Sequence, residues 1–315
     1  MTQLTAEKIA SQEGPMRPMV QRLGYVALNV ADIDIAIEDA CTVAGVRVVE
    51  RENGRALLTS NQRHAELILY ASNSDSVRSI GLQAHNVDVV AAVRRRAEQA
   101  GLTVLSERPS LPCIDRSVTF ATSEGQIFEV HTPIPLTQPV RHTGPGIRPR
   151  CLDHVNLSSR DSEAISNELQ TVLGLRQSER TTGHEIVWMR AADNRHHTVA
   201  TVKGPSGLHH FSWEFASFDD FKRLGDTLDA QGRFLVWGPG RHGAGDNLFA
   251  YYIDRSGFLV ECIAEMEVIE DENHQARIAD PGENLSNPKV VNRWGALPPR
   301  LWTEHFVPFA PPITA

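Results

Sequence analysis

Thr42-Val43-Ala44-Gly45-Val46-Arg47 returns 129 residues later as Thr171-Val172-Leu173-Gly174-Leu175-Arg176. At the same spacing Gly24-Tyr25-Val26-Ala27-Leu28 is answered by Asp153-His154-Val155-Asn156-Leu157. Further on, Gly125-Gln126-Ile127-Phe128-Glu129 is answered by Gly257-Phe258-Leu259-Val260-Glu261, 132 residues later. A period this long exceeds any solenoid unit, so the chain holds two copies of one domain. Its 315 residues suffice for two sizeable cores. The Pro-, Gly- and Arg-rich stretch from Pro133 to Arg150 reads as the connection between the copies. The expected division is an N-terminal extension over 1–20, a first domain over 21–135 and a linker over 136–149. A second domain over 150–268 and a tail over 269–315 follow.

Each copy itself reads as two βαβββ modules. In the second copy Cys151–Ser158 alternates as a strand, and Asp161–Leu173 has helical apolar spacing that stops at Gly174, a natural cap. Strand-like runs follow over 175–180, 185–190 and 196–202. The pattern restarts with a strand over 208–215, a helix over 218–229, and strands over 233–237, 248–253 and 258–263. The expected fold class is therefore α+β: two tandem domains, each of two βαβββ modules forming a cupped, barrel-like mixed sheet with helices outside.

Strand alternation then sorts side chains by face. Phe211, Trp213 and Phe215 oppose His210, Ser212 and Glu214; Val155 and Leu157 oppose His154 and Asn156; Phe258 and Val260 oppose Leu259 and Glu261. With the apolar faces packed on helices, His154, His210 and Glu261 all point into one cup. Two imidazoles and one carboxylate so placed form the facial triad that holds non-haem Fe(II) with coordination positions left open. In the first copy Tyr25 stands where His154 stands in the second, and Ala84 is placed opposite His210. Glu129 remains, but a lone carboxylate does not hold iron. The first domain thus reads as a non-catalytic scaffold, with one site per chain.

Gly238-Pro239-Gly240-Arg241-His242-Gly243 is followed by Tyr251, then by Asp254-Arg255-Ser256-Gly257 ahead of Glu261. On these residues the chain resembles the vicinal-oxygen-chelate superfamily and, within it, the two-domain type I extradiol (ring-cleaving) catechol dioxygenases. Their segment reads GPxRHG…Y…DPSG…E, so Arg255 replaces a proline in a turn. The resemblance covers roughly residues 20–268, and Arg293-Trp294-Gly295 and Trp302-Thr303-Glu304 echo the family's C-terminal extension. It implies His154, His210 and Glu261 as ligands of Fe(II), with Mn(II) as the alternative metal, and O2 as co-substrate. It also implies His197, His242 and Tyr251 as catalytic groups, and Asn156 and Trp188 as substrate contacts. His197 would be the hydrogen-bond donor and acid–base group for dioxygen chemistry. Trp237, where carboxylate-specific members carry arginine before the glycine, is expected to cover an apolar substituent of a neutral catechol. Arg293 is the one cation of the tail placed to argue otherwise. A homo-oligomer acting in aromatic catabolism completes what the resemblance implies.

Another non-haem iron oxygenase of the superfamily, or a non-catalytic binding module, is the alternative reading, and each fits less well on particular residues. The 4-hydroxyphenylpyruvate dioxygenase type has a similar triad but lacks the GPGRHG…Tyr run. A glyoxalase-like isomerase needs a second carboxylate where His154 or His210 stands, and non-catalytic binding modules often lack metal ligands, whereas a full set is present here. No GxSxG elbow or phosphate-binding glycine loop occurs. The net charge of −8, without a Lys/Arg cluster, argues against a nucleic-acid partner. No apolar run has the length of a membrane span, and the first residues lack the apolar core of a signal peptide. Cys41, Cys113, Cys151 and Cys262 are scattered without CxxC spacing, as expected of free thiols in the cytoplasm.

Overall fold

The computed structural model describes residues 18–140, 144–279 and 288–312. Parts of the expected extension (1–17), linker (141–143) and tail (280–287 and 313–315) lie outside the described residues. The first domain runs β1 (Val20–Val30), α1 (Ile33–Asp39), β2 (Arg47–Glu52), β3 (Arg55–Thr59) and β4 (Leu67–Ala71). Its second module is β5 (Ser76–Ala84), α2 (Val87–Gln99), β6 (Thr103–Ser106), β7 (Ser117–Ala121) and β8 (Ile127–His131). The second domain repeats the order with β9 (Cys151–Ser159), α3 (Ser162–Leu173), β10 (Arg176–Thr181), β11 (Ile186–Arg190) and β12 (Val199–Lys203). It closes with β13 (Gly207–Glu214), α4 (Phe218–Ala230), β14 (Trp237–Arg241), β15 (Leu248–Ile253) and β16 (Leu259–Ala264). Four βαβββ modules are present.

Local chemistry sets the element ends. The Asp161 carboxylate accepts from the Ala164 amide at the start of α3, and Gly174 ends it in the left-handed region at φ 66°. Ser217 and Asp220 form a reciprocal capping box on α4. Along α3, Ile165, Leu169, Val172 and Leu173 form the buried stripe.

In each sheet the first strands of the two modules lie side by side. The orders are β2-β3-β4-β1-β5-β8-β7-β6 and β14-β15-β16-β13-β9-β12-β11-β10-β17, where β17 is Arg277–Ala279. The outer faces of both sheets, with the helices, make one continuous core that includes Val26, Leu28 and Ile80 from the first domain and Val155, Phe211 and Val260 from the second. The inner faces line a separate cup in each domain. Polar ties reinforce the junction. The buried Glu66 carboxylate accepts from the Leu152 amide at 3.0 Å, and Asp39 pairs with Arg233 and accepts from the Arg255 amide at 3.0 Å. Burial pushes Glu66 up, but Arg63 and the Ser60 donors outweigh it and hold the carboxyl below its ordinary range.

The structure shifts two expected strands and adds one. The run expected at 233–237 forms instead at Trp237–Arg241, an edge strand with a register break between Trp237 and Gly240. Proline and glycine hide such a strand from pattern reading, because they are tolerated at edges and irregular pairings. The strand expected from residue 196 begins at Val199, which leaves His196 and His197 in the loop before it. The tail adds β17, parallel to β10, and two short helices, α5 (Pro288–Val291) and α6 (Arg300–Thr303). No helix among the described residues is long and apolar enough to cross a membrane, and the four cysteines are unpaired.

Candidate metal centre and surrounding site

Three strands of the second sheet bring the triad together. His154 comes from β9, His210 from β13 and Glu261 from β16, neighbours in the order β16-β13-β9. Phe211 pairs with both Val155 and Val260, so Ser212 pairs with Glu261 and His210 with Asn156, two residues along the strand from His154. A register break between Leu208 and His210 inserts His209 as an extra residue, a bulge of the kind found beside active sites. One ligand atom from each of His154, His210 and Glu261 lies within 4.8 Å of the others, and all three residues are buried. Among the described residues this is the only such group of three.

The donor set fits a divalent metal. Glu261 Oε2 lies 2.7 Å from His154 Nε2 and 3.3 Å from His210 Nε2, yet it has no partner in hydrogen-bond geometry. Three donors thus face a common point without satisfying one another, as ligands do. Burial alone would depress His154, but the Glu261 charge and the Asp153 carboxylate outweigh it and raise it to about 9. A metal held there would displace that proton, which would link metal uptake to proton release. Burial lowers His210 to about 4, against the opposing pull of Glu261. Asp153 Oδ2 accepts from His154 Nδ1 at 2.8 Å, the second-partner arrangement that turns the other ring nitrogen to a metal. Arg195 in turn pairs with Asp153 and Glu214.

The cavity above the triad is lined by Asn156, Trp188, His197, His242 and Tyr251, all expected, and by Ile186, Ala244, Val290, Val291 and Trp302, which were not. His242 Nε2 lies 3.1 Å from both the Tyr251 hydroxyl and Glu261 Oε1, and its Nδ1 donates to the Val291 carbonyl at 2.6 Å. Burial and the Glu261 charge raise Tyr251 well above the usual phenol range, so it keeps its proton as a donor. His197 is fixed by its neighbour. Glu179 accepts from His196 Nε2 at 3.2 Å, which leaves His196 Nδ1 to accept from His197 Nδ1 at 3.0 Å. Neutral His197 therefore offers a bare Nε2, a base first and a donor only once protonated. Burial and the adjacent His154 hold it well below the ordinary histidine range.

Trp237 is not where the sequence reading put it. It pairs with Tyr251, which pairs with Glu261, so the three share one face in a row. Trp237 is the outermost of them: it stacks on Tyr251 at 5.5 Å, donates to the Ala296 carbonyl, and does not line the cavity. The expectation rests on its place before Gly238 in the family's motif, which carries no distance from the metal. Arg293 also stays outside the cavity, paired with Asp246 at 3.2 Å.

A profile of the Glyoxalase/Bleomycin resistance protein/Dioxygenase superfamily matches residues 22–130 and 151–262, one match per domain. The chain belongs to this superfamily. It is 28% identical to metapyrocatechase 2 of Cupriavidus necator over 162 residues, 51% of this chain but only about half (48%) of that protein. It is 23% identical to the manganese-dependent 2,3-dihydroxybiphenyl 1,2-dioxygenase of Geobacillus genomosp. 3 over 76% of this chain and 83% of that one. The Mn(II)-bound glyoxalase of Novosphingobium aromaticivorans superposes with a TM-score of 0.81 at 25% identity, over 94% of this superfamily member and 97% of that structure.

The first domain fills its own cup. Tyr25 donates to Glu129 Oε2 at 2.7 Å, the Ser110 amide donates to Oε1 at 3.1 Å, and Tyr25 stacks on His131. The position matching His210 is Ser79, not the expected Ala84: Ile80 pairs with Val26 and Phe128 as Phe211 pairs with Val155 and Val260. The repeat spacing is the reason, since Ala84 lies 126 residues before His210, short of the 129 and 132 seen elsewhere, whereas Ser79 lies 131 before it. The Tyr25 phenol occupies the carboxylate and His131 is stacked on that phenol, so among the described residues this cup presents no group of three metal-ligating side chains. Titration with Fe(II) or Mn(II) under anaerobic conditions is expected to saturate near one ion per chain, and two would show the first cup to be a site.

Proposed function

We propose that this protein is an extradiol dioxygenase that opens a substituted catechol beside its diol and inserts both atoms of O2. The observation that carries this reading is the convergence of His154, His210 and Glu261 on one point under a cavity whose polar walls are His197, His242 and Tyr251. Fe(II), or Mn(II) as in the manganese-dependent relative, is the metal this ligand set would hold. When bound, it supplies the Lewis-acid and one-electron chemistry that brings a diol and dioxygen to reaction.

The chain's own groups do the rest. His197 Nε2 takes a proton as the diol ionises and returns it as the ring opens. Tyr251 and His242 orient the substrate oxygen, and Asn156 and Trp188 bound the ring. Ile186, Val290, Val291 and Trp302 exclude water, which strengthens each of these polar contacts. No external reductant is required, since both oxygen atoms end in the product. Residues 150–268 are the catalytic domain in this reading and 21–135 the scaffold, joined by 136–149. A homo-oligomer in the cytoplasm accords with the family resemblance and the unpaired thiols. An isomerase reading fits less well, because both His154 and His210 are imidazoles where a second carboxylate is needed.

The substrate is a neutral alkyl- or aryl-substituted catechol. Among the described residues no Lys or Arg lines the cavity, and a carboxylate buried there would lack a cationic partner from them. The test is metal-reconstituted enzyme assayed against a catechol panel for yellow ring-fission product with matching O2 uptake. A neutral 3-substituted catechol is expected to exceed 3,4-dihydroxyphenylacetate in kcat/KM by about tenfold or more. Preference for the acid, lost on Arg293→Ala, would reverse the substrate assignment. Absence of O2 uptake with every diol would reverse the activity.

A further inference from the structure

Of the two imidazole ligands, His154 has a carboxylate, Asp153, behind it. His210 has none. Its Nδ1 instead lies 2.6 Å from Nδ1 of His209, the extra residue of the β13 bulge. On its far side His209 Nε2 lies 2.9 Å from the main-chain carbonyl of Trp302 in α6, and its ring packs edge-on against the Trp302 indole at 4.5 Å. His209 and His210 are both buried, and Trp302 also lines the cavity.

A carbonyl oxygen only accepts, so the proton of neutral His209 sits on Nε2. His209 Nδ1 is then a lone pair. Two facing Nδ1 atoms can share only one proton, and it must come from His210. His210 consequently carries its hydrogen on Nδ1 and turns a bare Nε2 toward Glu261. The reverse arrangement leaves a hydrogen on the nitrogen the metal needs.

We propose that the Trp302 carbonyl, acting through His209 as a positioning residue, fixes the tautomer of His210 and so makes the C-terminal segment part of the metal site. The proposal rests on the reading of His210 as a ligand. It assigns a task to His209, whose ring does not line the cavity, and to a backbone atom 92 residues beyond His210. The mechanism parallels carboxylate-backed histidine ligands, whose outer partners are worth about 10–100-fold in metal affinity.

Three substitutions separate the two contacts of His209. In His209→Asn the side-chain oxygen takes the place of Nδ1 and accepts from His210 without help from Trp302. In His209→Gln the side-chain amide takes the place of Nε2 and keeps the tie to Trp302, but nothing accepts from His210. His209→Phe removes both. Fe(II) or Mn(II) affinity by chelator competition is expected to be near wild type for His209→Asn and about 10–100-fold weaker for His209→Gln and His209→Phe. Long-range 1H–15N spectra of the wild-type protein before metal addition provide a readout independent of turnover. They should show hydrogen on Nε2 of His209 and on Nδ1 of His210. Wild-type affinity in His209→Gln, or hydrogen on Nε2 of His210, would overturn the proposal. Metal retained by His210→Ala would instead overturn the ligand assignment beneath it.

Discussion

Alanine at His154, His210 or Glu261 is expected to abolish both metal retention and ring cleavage while the fold survives. Each residue supplies one donor of a three-donor set, and no fourth described residue joins the group whose ligand atoms all lie within 4.8 Å of one another. Losing the metal removes several kcal/mol of Lewis-acid stabilisation, about 10³-fold or more in rate. The fold survives because the outer core is built from the opposite strand faces. Glu261→Gln gives the stricter comparison for the carboxylate, because it keeps the side-chain volume and removes the charge. Metal content by elemental analysis, O2 uptake and thermal unfolding should be read together. A variant with wild-type metal content and turnover would remove that residue from the ligand set.

The second large effect is expected at His197. His197 lines the cavity with its Nδ1 committed to His196, so Nε2 is the nitrogen left to take and return a proton. His197→Phe should bind metal and, without O2, bind catechol with near wild-type affinity. Its kcat should fall about 10²–10⁴-fold, the usual contribution of a positioned acid–base group. A variant that loses catechol affinity but turns over bound substrate normally would make His197 a binding residue instead.

The parts of the architecture that sequence made legible are those with a periodic signature. Alternation along β9, β13 and β16 was enough to put His154, His210 and Glu261 on one face, and the long repeat was enough to give the four modules. Contacts made by the backbone were hidden. His209 and His196 act through ring nitrogens next to His210 and His197, and the doubled histidines were the only trace of this in the sequence. Val290, Val291 and Trp302 reach the cavity from the tail, where short helices carry no extended pattern. Trp237 lies two strands from Glu261, beyond Tyr251, a separation that a position in a motif does not encode.

A duplicated domain that is scaffold only, as proposed for the first copy, would ordinarily be free to drift or be deleted. Here the outer faces of the two sheets form a single core, and Glu66 of the first domain receives the amide of Leu152, two residues before His154. A gene that lost the first copy would therefore lose the apolar surface that the second packs against, along with the partner that anchors the start of its ligand-bearing strand. Selection acting on catalysis in one cup reaches through that shared core to the apolar residues of the other. Substitutions in the two halves should accordingly be tolerated in pairs across the junction, and the silent copy should age more slowly on its outer face than within its cup.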